Sequence, residues 1–136
     1  MPAECHTIYV IDDDASIRRA LGRVMTSAGY AWESFDSADQ FLARTDLAEN
    51  ACIVADMALI GMSGLELQQE LNARHYRFPV IFLTAEDSEE IRNVARNAGA
   101  AGFFRKPVDT QALLDAIDWA LHEPQQEPSE PDSPLV

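Results

Sequence analysis

The chain places Asp12-Asp13-Asp14 directly after the apolar stretch Thr7-Ile8-Tyr9-Val10-Ile11, and this junction is the strongest single indication of the fold. A short apolar run that ends at polar residues is typical of a buried strand entering a loop. Three later apolar runs end in a similar way: residues 52–55 precede Asp56, residues 80–83 precede Thr84, and residues 102–104 come just before Lys106. In an open parallel sheet, the ligand crevice lies outside the carboxyl ends of the strands. We therefore expect these polar side chains to converge on one site.

The segments between the apolar runs have helical periodicity, and together they make five strand–helix units. This alternation predicts an α/β fold in which helices cover both faces of a parallel sheet. The second strand is expected at about residues 31–35, and the helices at about residues 15–28, 65–74, 88–97 and 110–121, with a short helix capped by Ser37 after the second strand.

Two helices carry specific expectations about burial. The first should bury Ile17, Leu21, Val24 and Met25 and turn Arg18, Arg19 and Arg23 toward water. The last should bury a stripe made by Leu114, Ile117 and Leu121, with Trp119 either exposed or at the rim of the core.

Length and charge limit what the chain can do. Its 136 residues, 47% of them hydrophobic, suffice for one packed domain. The net charge of −13 argues against binding of nucleic acid or an anionic membrane by this segment, because phosphate groups are bound chiefly through Lys and Arg. Cys5 and Cys52 form no CxxC pair, and Cys52 is expected to be a small buried strand residue. No apolar stretch approaches the roughly 20 residues that cross a bilayer, so we expect a cytoplasmic protein.

The composition changes abruptly after the last expected helix. Residues 123–136 hold four of the seven prolines of the chain and four acids, Glu123, Glu127, Glu130 and Asp132. Such a segment cannot bury a core. We therefore divide the chain into one domain at residues 6–122 and a disordered tail or linker at residues 123–136.

The chemistry of the expected site follows from its charge. Carboxylates that share a partly buried pocket repel one another unless cations neutralise them. Asp12 and Asp13 suit Mg²⁺, which prefers oxygen ligands and keeps several waters, and Lys106 adds a second positive charge. A carboxylate beside Mg²⁺ can attack phosphorus, and Asp56 stands alone at its strand end as the natural nucleophile. The Thr84 hydroxyl and the Lys106 ammonium would bind the phosphoryl oxygens.

Four sequence motifs, in this order and spacing, resemble one known family. They are Ile8-Tyr9-Val10-Ile11-Asp12-Asp13-Asp14, Asp56 followed by Gly61-Met62-Ser63-Gly64-Leu65-Glu66-Leu67, Leu83-Thr84-Ala85, and Gly99-Ala100-Ala101-Gly102-Phe103-Phe104-Arg105-Lys106-Pro107. Over roughly residues 6–122 the chain resembles the CheY-like receiver domain of bacterial two-component response regulators, and most of all the receivers of FixJ-like two-domain transcriptional regulators.

The resemblance implies a flavodoxin-like fold and a set of residue roles. The five parallel strands would lie in the order 2-1-3-4-5. Mg²⁺ would be held by Asp12, Asp13, Asp56 and the backbone carbonyl of Ala58. Asp56 would accept a phosphoryl group from a sensor histidine kinase, Thr84 and Lys106 would bind it, and Phe103 would be the aromatic switch residue.

The same resemblance implies an output. Phosphorylation would reshape the face made by the fourth helix, fifth strand and fifth helix, which would then form a homodimer. A DNA-binding domain would follow the linker in the complete protein. The chain would not be an enzyme beyond its own phosphorylation and dephosphorylation. Pro107 would be preceded by a cis peptide bond.

The chain departs from the family pattern in the loop after Asp56. Met57, Ala58, Leu59 and Ile60 replace the commoner run that ends in Met-Pro, and Ile60 takes the place of the proline. Without the φ restraint of proline, this loop is expected to be more mobile or differently shaped. The short Ala58 side chain cannot orient a hydrolytic water, although Glu86 could.

Two alternatives and one bland interpretation stay open. The acids at residues 12–14 could be a solvated turn that caps a helix. The chain could be a degenerate receiver that binds a protein without phosphorylation. It could also be a haloacid-dehalogenase-like phosphatase, because Asp12-Asp13-Asp14-Ala15-Ser16 fits a DxDx(S/T/V) motif with Asp12 as the nucleophile. That last hypothesis needs an acidic pair after Lys106, where only Asp109 precedes the last helix.

Overall fold

A computed structural model of the chain describes residues 6–59, 61–86 and 88–122. Its strands are β1 (Thr7–Ile11), β2 (Ala31–Phe35), β3 (Ala51–Asp56), β4 (Val80–Thr84) and β5 (Gly102–Arg105). Its helices are α1 (Ala15–Ser27), α2 (Ala38–Leu42), α3 (Gly64–Ala73), α4 (Glu89–Asn97) and α5 (Thr110–His122). The strands form one parallel sheet in the order β2-β1-β3-β4-β5, which confirms the expected fold and strand order.

Polar side chains fix where the helices begin. Asp14 caps α1 by accepting a hydrogen bond from the Ser16 amide, and Ser37 and Ser88 cap α2 and α4 in the same manner. Ser63 and Glu66 form a reciprocal capping box at the start of α3. Each cap satisfies amides that the first turn of a helix leaves without intrahelical partners. The predicted boundaries therefore agree with the structure to within about one residue.

The core has two layers because alternate residues of each strand point to opposite faces of the sheet. One layer packs Tyr9, Ile53 and Phe82 against α2 and α3. The other packs Val10 and Val54 against α1 and α5. Cys52, in this second layer, is fully buried, and burial raises the pKa of its thiol to about 12. The sheet is therefore covered on both faces, as the sequence predicted.

Two predictions about helix faces were wrong. The buried stripe of α5 consists of Leu113, Ile117 and Ala120, whereas Leu114 and Leu121 are partly buried at its margins. Trp119 lies clear of the stripe, with 60% of its surface exposed.

The second wrong prediction concerns α1, where Arg18 was expected to face water. It is half-buried, and its Nη1 donates to the backbone carbonyl of Asp12 at 2.5 Å. Arg19 and Arg23 are exposed, as expected.

Three further expectations concern the tail and Ile60, the Pro107 peptide bond, and membrane-spanning helices. The predicted tail at residues 123–136 and the Ile60 position lie outside the described residues. The Lys106–Pro107 peptide bond is cis, as the resemblance implied. No helix in the described part of the chain combines the length and the apolar character that crossing a bilayer requires.

Two buried glycines should respond differently to the same substitution. A Cβ at Gly64 would lie 2.7 Å from the backbone oxygen of Asp56, whereas a Cβ at Gly22 would meet the Trp32 ring at 2.3 Å. Backbone cannot move aside, but Trp32 is 36% exposed and can swing outward. We expect Gly64→Ala to lower the free energy of unfolding by about 3 kcal/mol. Gly22→Ala should change it by no more than about 1 kcal/mol, because alanine favours the helix.

Urea unfolding of both variants and the parent, followed by circular dichroism, measures the difference. Equal losses of stability would mean that the contact of Gly64 with the Asp56 backbone is not the tighter constraint.

Candidate functional site

The carboxyl ends of the strands bring the predicted residues together. Asp12 follows β1, Asp56 ends β3, and Lys106 follows β5. The Lys106 Nζ lies 3.1 Å from Asp12 Oδ2 and 3.3 Å from Asp56 Oδ2. Asp12, Asp13 and Asp56 each contribute a carboxylate oxygen to a group in which these atoms lie within 4.8 Å of one another. Residues separated by up to 94 positions thus form one site.

Backbone groups hold the two buried acids in place. The Asp14 amide donates to Asp12 Oδ1 at 2.9 Å, and the Ala58 amide donates to Asp56 Oδ1 at 3.1 Å. Each acid therefore has one oxygen bound by a nearby amide and the other facing Lys106. This arrangement leaves the two Oδ2 atoms on the side where the charges meet.

Burial sets the electrostatics of the site. Asp12 is 1% exposed and Asp56 is 8% exposed, whereas Asp13 faces water. Burial raises the pKa of Asp12, and the negative charge of Asp56 adds to this, although hydrogen bonds from the Asp14 amide and Lys106 act in the opposite direction. Burial alone would lower the pKa of Lys106, but its hydrogen bonds and attraction to Asp12 and Asp56 outweigh burial and raise it. Lys106 therefore remains a cation beside the two acids.

The donor set fits a hard divalent cation. Three carboxylates and one ammonium leave an excess of two negative charges when all are ionised, and all the available ligand atoms are oxygens. Mg²⁺ prefers oxygen ligands and retains waters, which the exposed Asp13 side of the group can accommodate. Asp12, Asp13 and Asp56 could hold this ion, while Ala58 lies two residues after Asp56 in the adjoining loop.

Thr84 lies at the end of β4, beside the site, but its hydroxyl binds other groups. It is buried at the end of the strand, but its hydroxyl donates to the Glu86 carbonyl at 2.8 Å and accepts from the Glu86 amide at 3.1 Å. Its backbone oxygen accepts from the Lys106 amide at 2.7 Å. The hydroxyl is thus held in the loop after β4, and the backbone links the strand to Lys106.

Phe103 lies on β5, away from the acids. Its side chain is half-buried and packs against the layer that contains Phe82. It also lines a surface cavity of about 450 Å³ between α4 and β5.

Sequence reasoning missed two contributors to the site. One is Arg18, which donates to the Asp12 carbonyl from α1. The other is Leu59, which is buried and anchors the loop after Asp56, while Met57 and Met62 pack partly buried against the same core layer. The apolar residues Met57, Leu59 and Ile60 could have indicated a buried loop, but the missing proline led to a prediction of greater mobility or a different shape.

The sequence of this chain is similar to those of several known proteins. Residues 8–118 match the response regulator receiver domain family. The transcriptional regulatory protein TdiR of Thauera aromatica is 37% identical over 115 residues, which cover 85% of this chain and 51% of TdiR. Such matches leave much of each relative uncovered, since the chain spans about half the length of the curated relatives it matches.

Solved structures agree in fold. The structure of FixJ-N superimposes with a TM-score of 0.81 at 29% sequence identity and covers 88% of this chain and 95% of that chain. The response regulator StyR superimposes with a TM-score of 0.80 at 42% identity and covers 87% of this chain and 60% of that chain.

A divalent cation should stabilise the fold through the acidic group. We expect Mg²⁺ at roughly ten times its Kd to raise the free energy of unfolding by about 1.4 kcal/mol. Asp12→Asn should remove most of this gain, whereas Asp36→Asn, an exposed acid after β2, should leave it intact. Urea unfolding in EDTA and in Mg²⁺ measures both, and equal Mg²⁺ responses in the two variants would contradict a site at Asp12.

In EDTA, Asp12→Asn should be more stable than the parent at neutral pH. The pKa of Asp12 is raised in the folded state, so the ionised carboxylate opposes folding, and this opposition fades as the pH falls through the folded pKa toward the ordinary value of 3.8. The difference in free energy of unfolding between the two proteins should therefore shrink on acidification. A difference that grew as the pH fell would show that ionised Asp12 stabilises the fold.

Proposed function

The chain belongs to the response regulator receiver domain family, and on this premise we propose that Asp56 accepts a phosphoryl group from a sensor histidine kinase. Receivers of response regulators interact with histidine kinases, and they generally bind Mg²⁺ at an acidic pocket. The observation that carries the proposal is the position of Lys106, whose ammonium lies within 3.3 Å of both Asp12 and Asp56 beside the exposed Asp13. Among the residues described, Asp12 and Asp56 are the two acids that lie at strand ends beside this cation, and Asp56 is the more exposed of the two.

Asp56 supplies the nucleophile. Its carboxylate oxygen would attack the phosphorus of a phosphohistidine, so that the new P–O bond forms as the P–N bond breaks and the electron pair leaves with the imidazole, which takes up a proton. The Ala58 amide keeps Asp56 Oδ1 fixed, which leaves Oδ2 to react. Lys106 would then exchange its contact with Asp56 for a phosphoryl oxygen.

Asp12, Asp13, Asp56 and the Ala58 carbonyl would hold Mg²⁺, which would supply positive charge to offset the charge of the transferring phosphoryl group. Lys106, which follows β5, would supply positive charge in the same way. Asp12 orients Lys106, because its Oδ2 accepts from the ammonium while its Oδ1 is held by the Asp14 amide. The acids therefore act in two ways, as ligands and as the support for the lysine.

The switch begins at Thr84. Its hydroxyl would leave the Glu86 backbone and bind a phosphoryl oxygen, which pulls on the loop between β4 and α4. Phe103 would turn inward into the volume that this movement opens. A two-position element of this kind is coupled to its ligand by roughly 1 to 3 kcal/mol.

The proposed output is regulation of transcription. TdiR is a transcriptional regulator by name, and this chain matches about half of its length. We propose that residues 6–122 form the receiver, that residues 123–136 are a linker, and that a DNA-binding domain belongs to the complete protein. The receiver would dimerise through α4, β5 and α5 when phosphorylated, would not itself bind nucleic acid, and would work in the cytoplasm without enzymatic activity beyond its own phosphorylation and dephosphorylation.

Neither alternative accounts for the site as well. A haloacid-dehalogenase-like phosphatase would use Asp12 as its nucleophile, yet Asp12 is less exposed than Asp56, and the acidic pair that such an enzyme needs after Lys106 is missing, since only Asp109 precedes α5. A degenerate receiver has no use for the full set of three acids and a lysine that the strand ends bring together.

Phosphorylation can be measured directly. Intact mass after incubation with Mg²⁺ and acetyl phosphate should show one added phosphoryl group on the parent chain. The adduct should be absent without Mg²⁺ and absent in Asp56→Asn, and it should persist in Asp36→Asn. If the parent gave no adduct and did not respond to beryllofluoride, the phosphorylation-independent module would be the better description.

Lys106 should separate phosphorylation from its consequence. Lys106→Ala removes the cation that joins the acids to β5, so we expect the variant to accept a phosphoryl group and fail to dimerise. Sedimentation of the phosphorylated parent, Lys106→Ala and Lys106→Arg measures this. Normal dimerisation of Lys106→Ala would contradict the role proposed for Lys106.

A further inference from the structure

The cavity between α4 and β5 combines open space with positive charge. It measures about 450 Å³, and Arg92 and Arg96 from α4 and Arg105 from β5 line it together with Phe103 and Phe104. The arginines at 92 and 96 are one helical turn apart and so share a face of α4. β5 is an edge strand, so the cavity runs beside the open edge of the sheet. The lining follows consecutive residues from Ala100 to Arg105 beside α4, which suits an extended chain.

This concentration of cations is unusual for the chain. The whole sequence has ten Lys and Arg residues against twenty-three Asp and Glu, and three of those ten line this one cavity. Arg96 Nη1 also donates to Asn93 Oδ1 at 2.8 Å, which holds its guanidinium at the surface of α4. An arginine group of this kind favours a ligand that carries several carboxylates.

The chain itself contains such a ligand. Residues 123–136 carry four acids and no Lys or Arg, and their four prolines favour an extended conformation. The acids alternate with the prolines at short intervals, so an extended chain presents them repeatedly along its length.

The point of attachment gives this segment the necessary reach. It begins after His122, at the end of α5, where the His122 ring lies 5.2 Å from that of His6 next to β1. Ala100 and Ala101, where the cavity starts, precede β5 at this same end of the parallel strands, and the cavity lining continues along β5 to Arg105. α5 is about 20 Å long. Fourteen residues in an extended proline-rich form span about 43 Å, whereas the six residues from 100 to 105 span about 20 Å along the strand.

We propose that the acidic segment at residues 123–136 docks in this cavity of its own chain, with its carboxylates paired to Arg96 and Arg105. Tethering gives the segment an effective concentration in the millimolar range, so weak ion pairs suffice. The docked segment covers part of the face formed by α4 and β5. It therefore competes with dimerisation through that face, a consequence that rests on the proposed function.

A spin label tests the docking in the full chain. The label is attached at Ser129→Cys in a Cys5→Ser background, where Cys52 stays unlabelled because it is buried. At low salt, the amide signals of Gly102–Arg105 should broaden at least about twofold more than those of Ala31–Phe35 on the opposite edge of the sheet, and about 0.5 M salt should remove the difference by screening.

Charge variants assign the broadening to the arginines. Arg96→Gln with Arg105→Gln should abolish it, as should Glu127→Gln with Glu130→Gln and Asp132→Asn. Arg19→Gln with Arg23→Gln removes the same charge from exposed sites on α1 and should leave it unchanged. Uniform broadening, or equal effects of the two arginine pairs, would overturn the proposal. So would broadening in a mixture of spin-labelled and isotope-labelled chains, because the occupant would then be a second copy.

Dimerisation separates this inference from the proposed function. With beryllofluoride present, the variant with the neutralised acidic segment should dimerise at a several-fold lower concentration than the parent. If neither protein dimerises while the spin-label result holds, the docking stands and the proposed output of the face fails. If both dimerise equally, the docked segment does not compete for this face.

Discussion

The charge balance of the site rests on one contact, the Lys106 ammonium between Asp12 and Asp56. Two carboxylates at 1% and 8% exposure would each cost several kcal/mol to bury without a cation nearby. The lysine comes from beyond β5, and the acids come from β1 and β3. The parallel sheet, with β3 and β4 between β1 and β5, brings these three ends to one side. Electrostatics and strand order therefore constrain each other.

The loops around this contact are held by apolar packing and by close backbone approach. Leu59 is buried beneath the loop after Asp56, and the Met57 carbonyl accepts from the Gly64 amide at 3.1 Å. Gly64 is required here because any Cβ would meet the Asp56 carbonyl. On the described sides of this loop, burial of Leu59 and the Gly64–Met57 hydrogen bond supply restraints of their own.

The strand ends could be predicted from the sequence, because each apolar run of a buried strand stops at or just before a polar residue such as Asp12 or Asp56. Side-chain direction could not. Thr84 binds the backbone of Glu86, a choice between competing acceptors that no periodicity encodes. The stripe of α5 was misplaced because Leu113 and Leu114 are both apolar, and only contact with the sheet selects Leu113. Arg18 was assigned to water because the helix pattern ignores the carbonyl of Asp12 above it.

The strand β5 joins the site to the arginine cavity without any intermediate element. Arg105 lines the cavity, and the next residue is Lys106, whose amide donates to the Thr84 carbonyl. A change at Lys106 is therefore carried by one peptide unit to Arg105, and Phe103 lies two residues further along the same strand. Coupling between two binding events is reciprocal in free energy. If an occupant binds the cavity more tightly when Lys106 is in one of its positions, its binding also favours that position of Lys106 beside the acids. The cavity can therefore influence the site, just as the site influences the cavity.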